Sequence, residues 1–200
     1  MSNPLRVLAA KPLSGVFRLA SRPDKESVTG DDSATELLTD FISNNPLTIR
    51  SAMGLQEVKD KLYTSGETFA VVINRNEEVA GILALKDLIG SWPLSLANQR
   101  GSSIADITAR DVMRPIWSLP AITHSQLQDL KIDELVAIFN EIHTDYLLVT
   151  DASAAGVSER FVRGLLSADE LGQQLGIQLN QDPRPESFSD IVHAVRGKSG

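Results

Sequence analysis

The 200-residue sequence contains no cysteine. Without cysteine the chain forms no disulfide bond and offers neither a thiolate metal ligand nor a thiol nucleophile, a composition that agrees with a reducing compartment. Histidine is scarce as well, since His124, His143 and His193 are the three in the chain, and no two of them have the spacing of metal ligands. A metal centre and a thiol-based active site are therefore not expected.

Long apolar runs are also missing. No stretch approaches the roughly 20 apolar residues that a transmembrane helix needs. The opening MSNPLRVLAAKPLSGVFRLA is interrupted by prolines and a glycine, unlike the continuous apolar core of a secretory signal. We therefore expect a cytoplasmic protein that makes no contact with a membrane.

The charge balance excludes one further class of partner. The formal net charge is -7 and the pI is near 5.0, which is not the basic footprint of a nucleic-acid-binding protein. The first 30 residues differ from the rest, with five basic and two acidic side chains. We interpret residues 1–33 as a basic leader, partly flexible, which could be a docking arm or a tail packed on the surface.

The most informative pattern is a ten-residue repeat. VAGILALKDL at 79–88 and VRGLLSADEL at 162–171 share the pattern V-x-G-h-L-x-x-x-[acid]-L, where h is apolar, and lie 83 positions apart. A predicted β-hairpin precedes each copy, and an amphipathic helix precedes each hairpin. An extended piece led by proline, NPLTIR at 45–50 or RPIWSL at 114–119, comes before each helix. Each half therefore reads strand, helix, strand, strand, helix, which indicates an internal duplication.

The second half is longer than the first in two places. Eight residues are gained between the extended piece and the hairpin, and six are gained within the hairpin. Both gains fall in polar stretches, PAITHSQLQDL and DASAAGVSER, where insertions are tolerated best. We interpret both stretches as inserted loops.

In this order the segments resemble a tandem pair of CBS domains, the regulatory module of the cystathionine-β-synthase type. The resemblance covers about residues 34–177 and is to stand-alone bacterial proteins that contain little else. It implies an α+β fold of two βαββα units related by a pseudo-twofold axis, with the two sheets packed together and the helices outside. It implies a division into a leader (1–33), a first motif (34–98), a second motif (99–177), and a linker with a short C-terminal helix (178–200).

The resemblance also implies a function and a site. Modules of this family bind adenosine-containing ligands such as AMP, ADP, ATP or S-adenosylmethionine, with no obligatory cofactor. A hydroxyl side chain and, three positions later, an aspartate stand where the last strand enters the last helix, and the carboxylate accepts the ribose hydroxyls. In the first copy Asp87 has the ribose position, Ala84 lacks the hydroxyl, and Lys86 is a candidate phosphate ligand. In the second copy Ser167 keeps the hydroxyl and Glu170 replaces aspartate.

Because the family builds each cleft from both halves, each set of residues is expected to face the other half. Asp87 is expected to face Ser118 and Tyr146, whereas Ser167 and Glu170 should face two strands of the first half. The complete predicted set is Thr48 and Phe69 on those two strands, with Lys86, Asp87, Ser118, Tyr146, Ser167 and Glu170.

Simpler explanations of these residues stay open. Ser167 and Glu170 also fit a capping box at the start of a helix, and aromatic residues that open buried strands are commonly core. The function implied by the resemblance is a homodimeric, non-enzymatic sensor that signals to an effector protein through a conformational or dimer change. The alternative is a ligand-free dimerisation scaffold whose clefts have degenerated.

Overall fold

The computed structural model describes residues 28–151 and 160–179. The predicted leader before residue 28, the middle of the second hairpin loop and the predicted C-terminal helix lie outside these ranges. In these ranges every helix is too short or too polar to span a bilayer.

The described residues form eight strands and seven α-helices. The strands are β1 (Thr39–Asp40), β2 (Thr48–Arg50), β3 (Phe69–Ile73), β4 (Val79–Ala84), β5 (Arg114–Pro115), β6 (Ala121–Thr123), β7 (Tyr146–Thr150) and β8 (Val162–Ser167). The helices are α1 (Leu55–Ser65), α2 (Leu85–Ile89), α3 (Trp92–Arg100), α4 (Ala109–Val112), α5 (His124–Gln128), α6 (Ile132–Ile142) and α7 (Ala168–Leu175). Single 3₁₀ turns lie at Ala34–Leu37, Ile104–Asp106 and Ile116–Ser118.

Two four-stranded mixed sheets form the centre of the molecule. Their strand orders are β2-β3-β4-β5 and β1-β8-β7-β6. In each sheet the first strand of the unit runs parallel to the next, and the hairpin that follows is antiparallel. Each unit therefore follows the predicted order of strand, helix, strand, strand, helix, and the α+β fold is confirmed.

The buried strands place successive side chains in different cores, because neighbouring residues of a strand point to opposite faces. Ala70 and Val72 of β3 pack under the helices of the first unit, whereas Phe69 and Val71 belong to a core shared with Tyr146 of β7. A separate core lies under the helices of the second unit. The two sheets thus pack against each other and the helices lie outside, as predicted.

Each unit gives one short arm to the other. We call residues 33–40 the first arm and residues 108–115 the second arm. The first arm precedes the first unit, yet its strand β1 pairs with β8 of the second unit, and β5 of the second arm pairs with β4 of the first unit. Single bridges from Ser33 and Thr108 repeat this exchange at the other end of each arm. The two units are therefore joined by reciprocal strand exchange.

This exchange corrects one expectation from the sequence. The counterpart of NPLTIR in the second unit is β6, which runs parallel to β7. RPIWSL instead begins with the arm strand β5. The stretch PAITHSQLQDL, interpreted as an inserted loop, contains β6 and α5. The extended-piece assignment was wrong because two prolines 69 positions apart suggested an equivalence that the hydrogen-bond register does not have.

The repeated glycine of each ten-residue motif has a steric explanation. A Cβ on Gly81 would contact the carbonyl oxygen of Arg114 and lie 3.1 Å from the sulfur of Met113. A Cβ on Gly164 would lie 2.6 Å from the carbonyl oxygen of Thr39. Both glycines therefore allow an arm from the other unit to approach the strand closely.

The first arm is held by an ion pair whose contribution depends on pH. Asp40 accepts a hydrogen bond from the Ile42 amide at 2.9 Å and lies 3.2 Å from the Arg163 guanidinium. The pKa of Asp40 is lowered, first by the Ile42 hydrogen bond and also by Arg163, against an opposing effect of burial. Because the pKa is lower in the folded state, the stabilisation is present above the unfolded value and is lost as pH falls through the folded value.

We therefore expect Asp40→Asn to lower the thermal unfolding midpoint at pH 7 by a degree or two, the effect of a partly exposed ion pair that solvent still screens. The difference from the wild type should shrink as the pH is lowered to about 2.5, because a protonated aspartate resembles asparagine. Unfolding followed by circular dichroism at several pH values measures this. An equal penalty at all pH values would contradict the assigned role of the carboxylate.

Candidate functional site

A cavity of about 710 Å³ lies between the two units, at the start of the helices that follow the repeated motifs. From the first unit it is lined by Lys86 and by apolar groups of α2, and from the second by Ser167, Glu170 and residues after α7. The complete lining is Thr68, Ala84, Leu85, Lys86, Ile89, Tyr146, Ser167, Ala168, Asp169, Glu170, Gly172, Gln173, Ile177, Gln178 and Leu179. Its volume is that of a small-molecule site.

Equivalent residues of the two units meet at this cavity and in the core next to it. Lys86 and Asp169 have the same position in the two ten-residue motifs, and their charged atoms are 2.6 Å apart. Phe69 and Tyr146 open equivalent strands, and their rings are 6.5 Å apart. Such contacts between equivalent residues place the pseudo-twofold axis beside the cavity.

Tyr146 is the aromatic centre of the polar groups near the axis. The residue is 4% exposed, and the cationic groups of Lys86 and Arg114 lie 5.9 Å and 5.6 Å from its ring centroid. These are cation–π distances. Burial raises the pKa of the Tyr146 phenol above its ordinary value, and the Asp87 carboxylate adds to the rise. The phenol is therefore neutral at physiological pH.

Ser167 and Glu170 are placed by the start of α7. Ser167 is the N-cap of the helix, and its hydroxyl accepts a hydrogen bond from the Glu170 amide at 3.5 Å. This distance is at the long limit for such a bond, so the hydroxyl is weakly held. The capping interpretation of Ser167 is thus confirmed, and both residues also line the cavity.

Asp87 lies in a different environment from Glu170, although the two positions are equivalent. Asp87 is buried at 7% exposure, and one of its carboxylate oxygens is 3.7 Å from Nε of Arg114. Arg114 also forms an ion pair with Asp145, which in turn lies 3.5 Å from Lys86. The carboxylate predicted to bind ribose is thus part of an internal network of charges.

The other predicted site residues lie away from the cavity lining. Thr48 is exposed, with its hydroxyl donating to the Pro46 carbonyl at 3.2 Å. Ser118 is exposed as well and donates to the Pro115 carbonyl at 2.8 Å. Phe69 is buried in the core between the sheets. The structure therefore brings Lys86, Tyr146, Ser167 and Glu170 together, with Asp87 behind them, while ligand contact by the other three stays a prediction.

Three charged residues of the site were missed in the sequence: Arg114, Asp145 and Asp169. A second repeat could have located Arg114, because SATELLTD at 33–40 and TARDVMRP at 108–115 share the pattern [ST]-A-x-[DE]-h-h. In both copies the alanine is fully buried. Its amide donates to a backbone carbonyl of the other unit, that of the residue just before the N-cap of α6 for the first copy (3.0 Å) and of α1 for the second (2.8 Å). The repeat thus marks the two arms.

No protein-family model matches the sequence, and no curated protein matches it. Solved structures do match. An uncharacterized conserved protein from Pyrococcus horikoshii is 15% identical, with 78% of this chain and 100% of that chain covered and a TM-score of 0.50. A CBS domain protein from Thermoplasma acidophilum is 15% identical over 80% of this chain and 77% of its own, with a TM-score of 0.46. CBSX2 in complex with AMP is 16% identical over 70% and 93%, with a TM-score of 0.48.

At these identities the likeness concerns the fold. The described residues form two βαββα units packed through their sheets, which is the fold that the resemblance to a tandem CBS pair implies. The fold that this resemblance implies is therefore confirmed, and the stand-alone bacterial type stays a prediction.

Proposed function

We propose that this chain is a regulatory CBS pair that binds an adenosine-containing ligand in the cavity between its two units. The observation that carries the proposal is the cavity itself, which combines an apolar wall with a few polar groups drawn from both units. The proposal includes a homodimer and an effector protein that reads the bound state. It assigns the chain no catalytic role.

Each part of the lining has a role in this proposal. Glu170 accepts hydrogen bonds from the ribose hydroxyls, and Ser167 offers a neighbouring hydroxyl. The apolar side chains of Ala84, Leu85 and Ile89 form a wall on which the adenine base can pack. Lys86 can contact a phosphate if it leaves Asp169.

The charges of the cavity favour a ligand with little negative charge. The lining carries one cation, Lys86, and two carboxylates, Asp169 and Glu170. Behind it, the cation Arg114 stands between two further carboxylates, those of Asp87 and Asp145. Each added phosphate increases repulsion in this environment, so AMP and S-adenosylmethionine should bind more tightly than ATP.

Binding can produce a signal because the cavity spans the two units. Lys86 of the first unit is paired with Asp169 of the second, so a ligand that replaces this pair changes a contact between the units. The equilibrium shifts only if the ligand binds one arrangement of the units more tightly than the other. The effector would then distinguish the two arrangements.

We expect thermal unfolding to reveal the ligand. A ligand at 100 times its dissociation constant adds roughly 2.7 kcal/mol of stability, which corresponds to a few degrees in the unfolding midpoint. AMP and S-adenosylmethionine should raise the midpoint more than ATP, and GMP should leave it unchanged. Glu170→Gln should abolish the rise, whereas the control Glu141→Gln, on the exposed face of α6, should retain it.

The same measurement separates the alternative function. If none of AMP, ADP, ATP and S-adenosylmethionine raises the midpoint, the ligand-free dimerisation scaffold replaces the sensor. If the rise persists in Glu170→Gln, the ligand binds elsewhere and the assigned cavity is wrong. A larger rise with ATP than with AMP would contradict the charge argument.

A further inference from the structure

The two arms carry different side chains at equivalent positions. Arg114 of the second arm lies against α2, where its guanidinium contacts the carboxylates of Asp87 and Asp145. All three side chains are largely buried, with exposed fractions of 19% for Arg114, 7% for Asp87 and 10% for Asp145. The Asp87 side of the site is thus occupied by a cation of the protein itself.

The equivalent positions on the other side carry no such cation. The strand registers make Thr39 the counterpart of Arg114. Thr68 is the counterpart of Asp145, since each carbonyl accepts from the first amide of the following helix, at 2.8 Å and 3.0 Å. At the equivalent positions of the Glu170 side, the neutral residues Thr39 and Thr68 therefore replace the ion pair of Arg114 and Asp145.

The cavity follows this difference. Its lining includes Thr68 and Glu170, and among the described residues it does not include their counterparts Asp145 and Asp87. A pseudo-twofold pair of units would present two equal clefts if the side chains were equal. The arm residue on the Asp87 side is Arg114, and its counterpart on the Glu170 side is Thr39.

We propose that Arg114 occupies the Asp87 cleft in place of a ligand, so that the chain binds one adenosine-containing molecule, on the Glu170 side. Ribose hydroxyls cannot replace the guanidinium, because neutral hydrogen bonds do not compensate two buried carboxylates as a cation does. Asp87 then stabilises the arrangement of the second arm instead of binding ribose. This inference rests on the proposed function and adds its stoichiometry.

The test compares the wild type with Arg114→Thr/Asp145→Thr, which copies the counterpart residues Thr39 and Thr68. Isothermal titration of the full chain with AMP should give one site per chain for the wild type and two for the double variant. Arg114→Lys, which keeps a cation in the cleft, is the matched control and should retain one site. Glu170→Gln should leave no site in the wild-type background and one site in the double variant.

The outcomes separate this inference from the proposed function. Two sites in the wild type, or one site in both the wild type and the double variant, would overturn the role of Arg114 while leaving nucleotide binding intact. No binding by the wild type and by every variant would overturn the proposed function and this inference with it. If the double variant does not fold, Glu170→Gln alone decides, because any site that remains in it contradicts a blocked Asp87 cleft.

Discussion

Replacing Tyr146 by alanine is expected to lower the free energy of unfolding by about 3–5 kcal/mol, the range for a large aromatic removed from a core. The ring is 4% exposed and packs between the sheets beside Phe69. It also lies within cation–π distance of Lys86 and Arg114, so its loss leaves both cations without that contact. Denaturant unfolding followed by circular dichroism measures the change.

Tyr146→Phe is the matched control for this prediction. It keeps the ring and removes only the phenol oxygen, so its loss of stability should be much smaller than that of alanine. A penalty below about 1 kcal/mol for Tyr146→Ala would contradict the packing described here, since even small deletions from a close-packed core cost about that much.

The second large effect is expected at the repeated glycine of the first unit. In Gly81→Ala the new methyl group would contact the Arg114 carbonyl and lie 3.1 Å from the Met113 sulfur. Backbone cannot move aside as a side-chain end can, so the second arm must shift away from β4. We expect a loss of about 1–3 kcal/mol in the free energy of unfolding.

Gly90→Ala is the control for Gly81→Ala. Its Cβ would meet the Lys86 carbonyl oxygen at 3.5 Å, an ordinary contact, and its φ of -75° is accessible to alanine. The free energies of unfolding of the two variants, measured with a denaturant, should therefore differ by at least about 1 kcal/mol. Equal stability would mean that the second arm does not approach β4 as closely as described.

The order of elements could be predicted because each long element has its own pattern. Val58 and Leu62 are one turn apart on the buried face of α1, and the buried strands β3 and β7 are short apolar runs bounded by polar turns. The arm strands β1 and β5 have two residues each, which is too short to show any periodicity. The repeat at 33–40 and 108–115 marks the arms, but strands this short do not show which sheet each arm joins.

The lack of a local sequence pattern also limited what could be predicted about the site. Lys86, Ser167 and Glu170 belong to the ten-residue motifs, so their place at the start of α2 and α7 follows from local sequence. Arg114 reaches Asp87 only through the exchanged arm, and Asp145 is the residue before β7. A charge network among three separate segments depends on the tertiary fold, and the sequence-based expectation of a free ribose carboxylate at Asp87 did not include it.

The exchanged arms bear on how such a molecule could arise. Each arm precedes its own unit and pairs with the other, so two separate copies of one unit could make the same exchange as a symmetric, domain-swapped dimer. Duplication and fusion would turn that dimer into a single chain without changing a contact. Fusion also frees the two copies to diverge. A mutation such as arginine at position 114 would alter both equivalent positions at once in a dimer of identical chains, whereas in a fused chain it alters one of them.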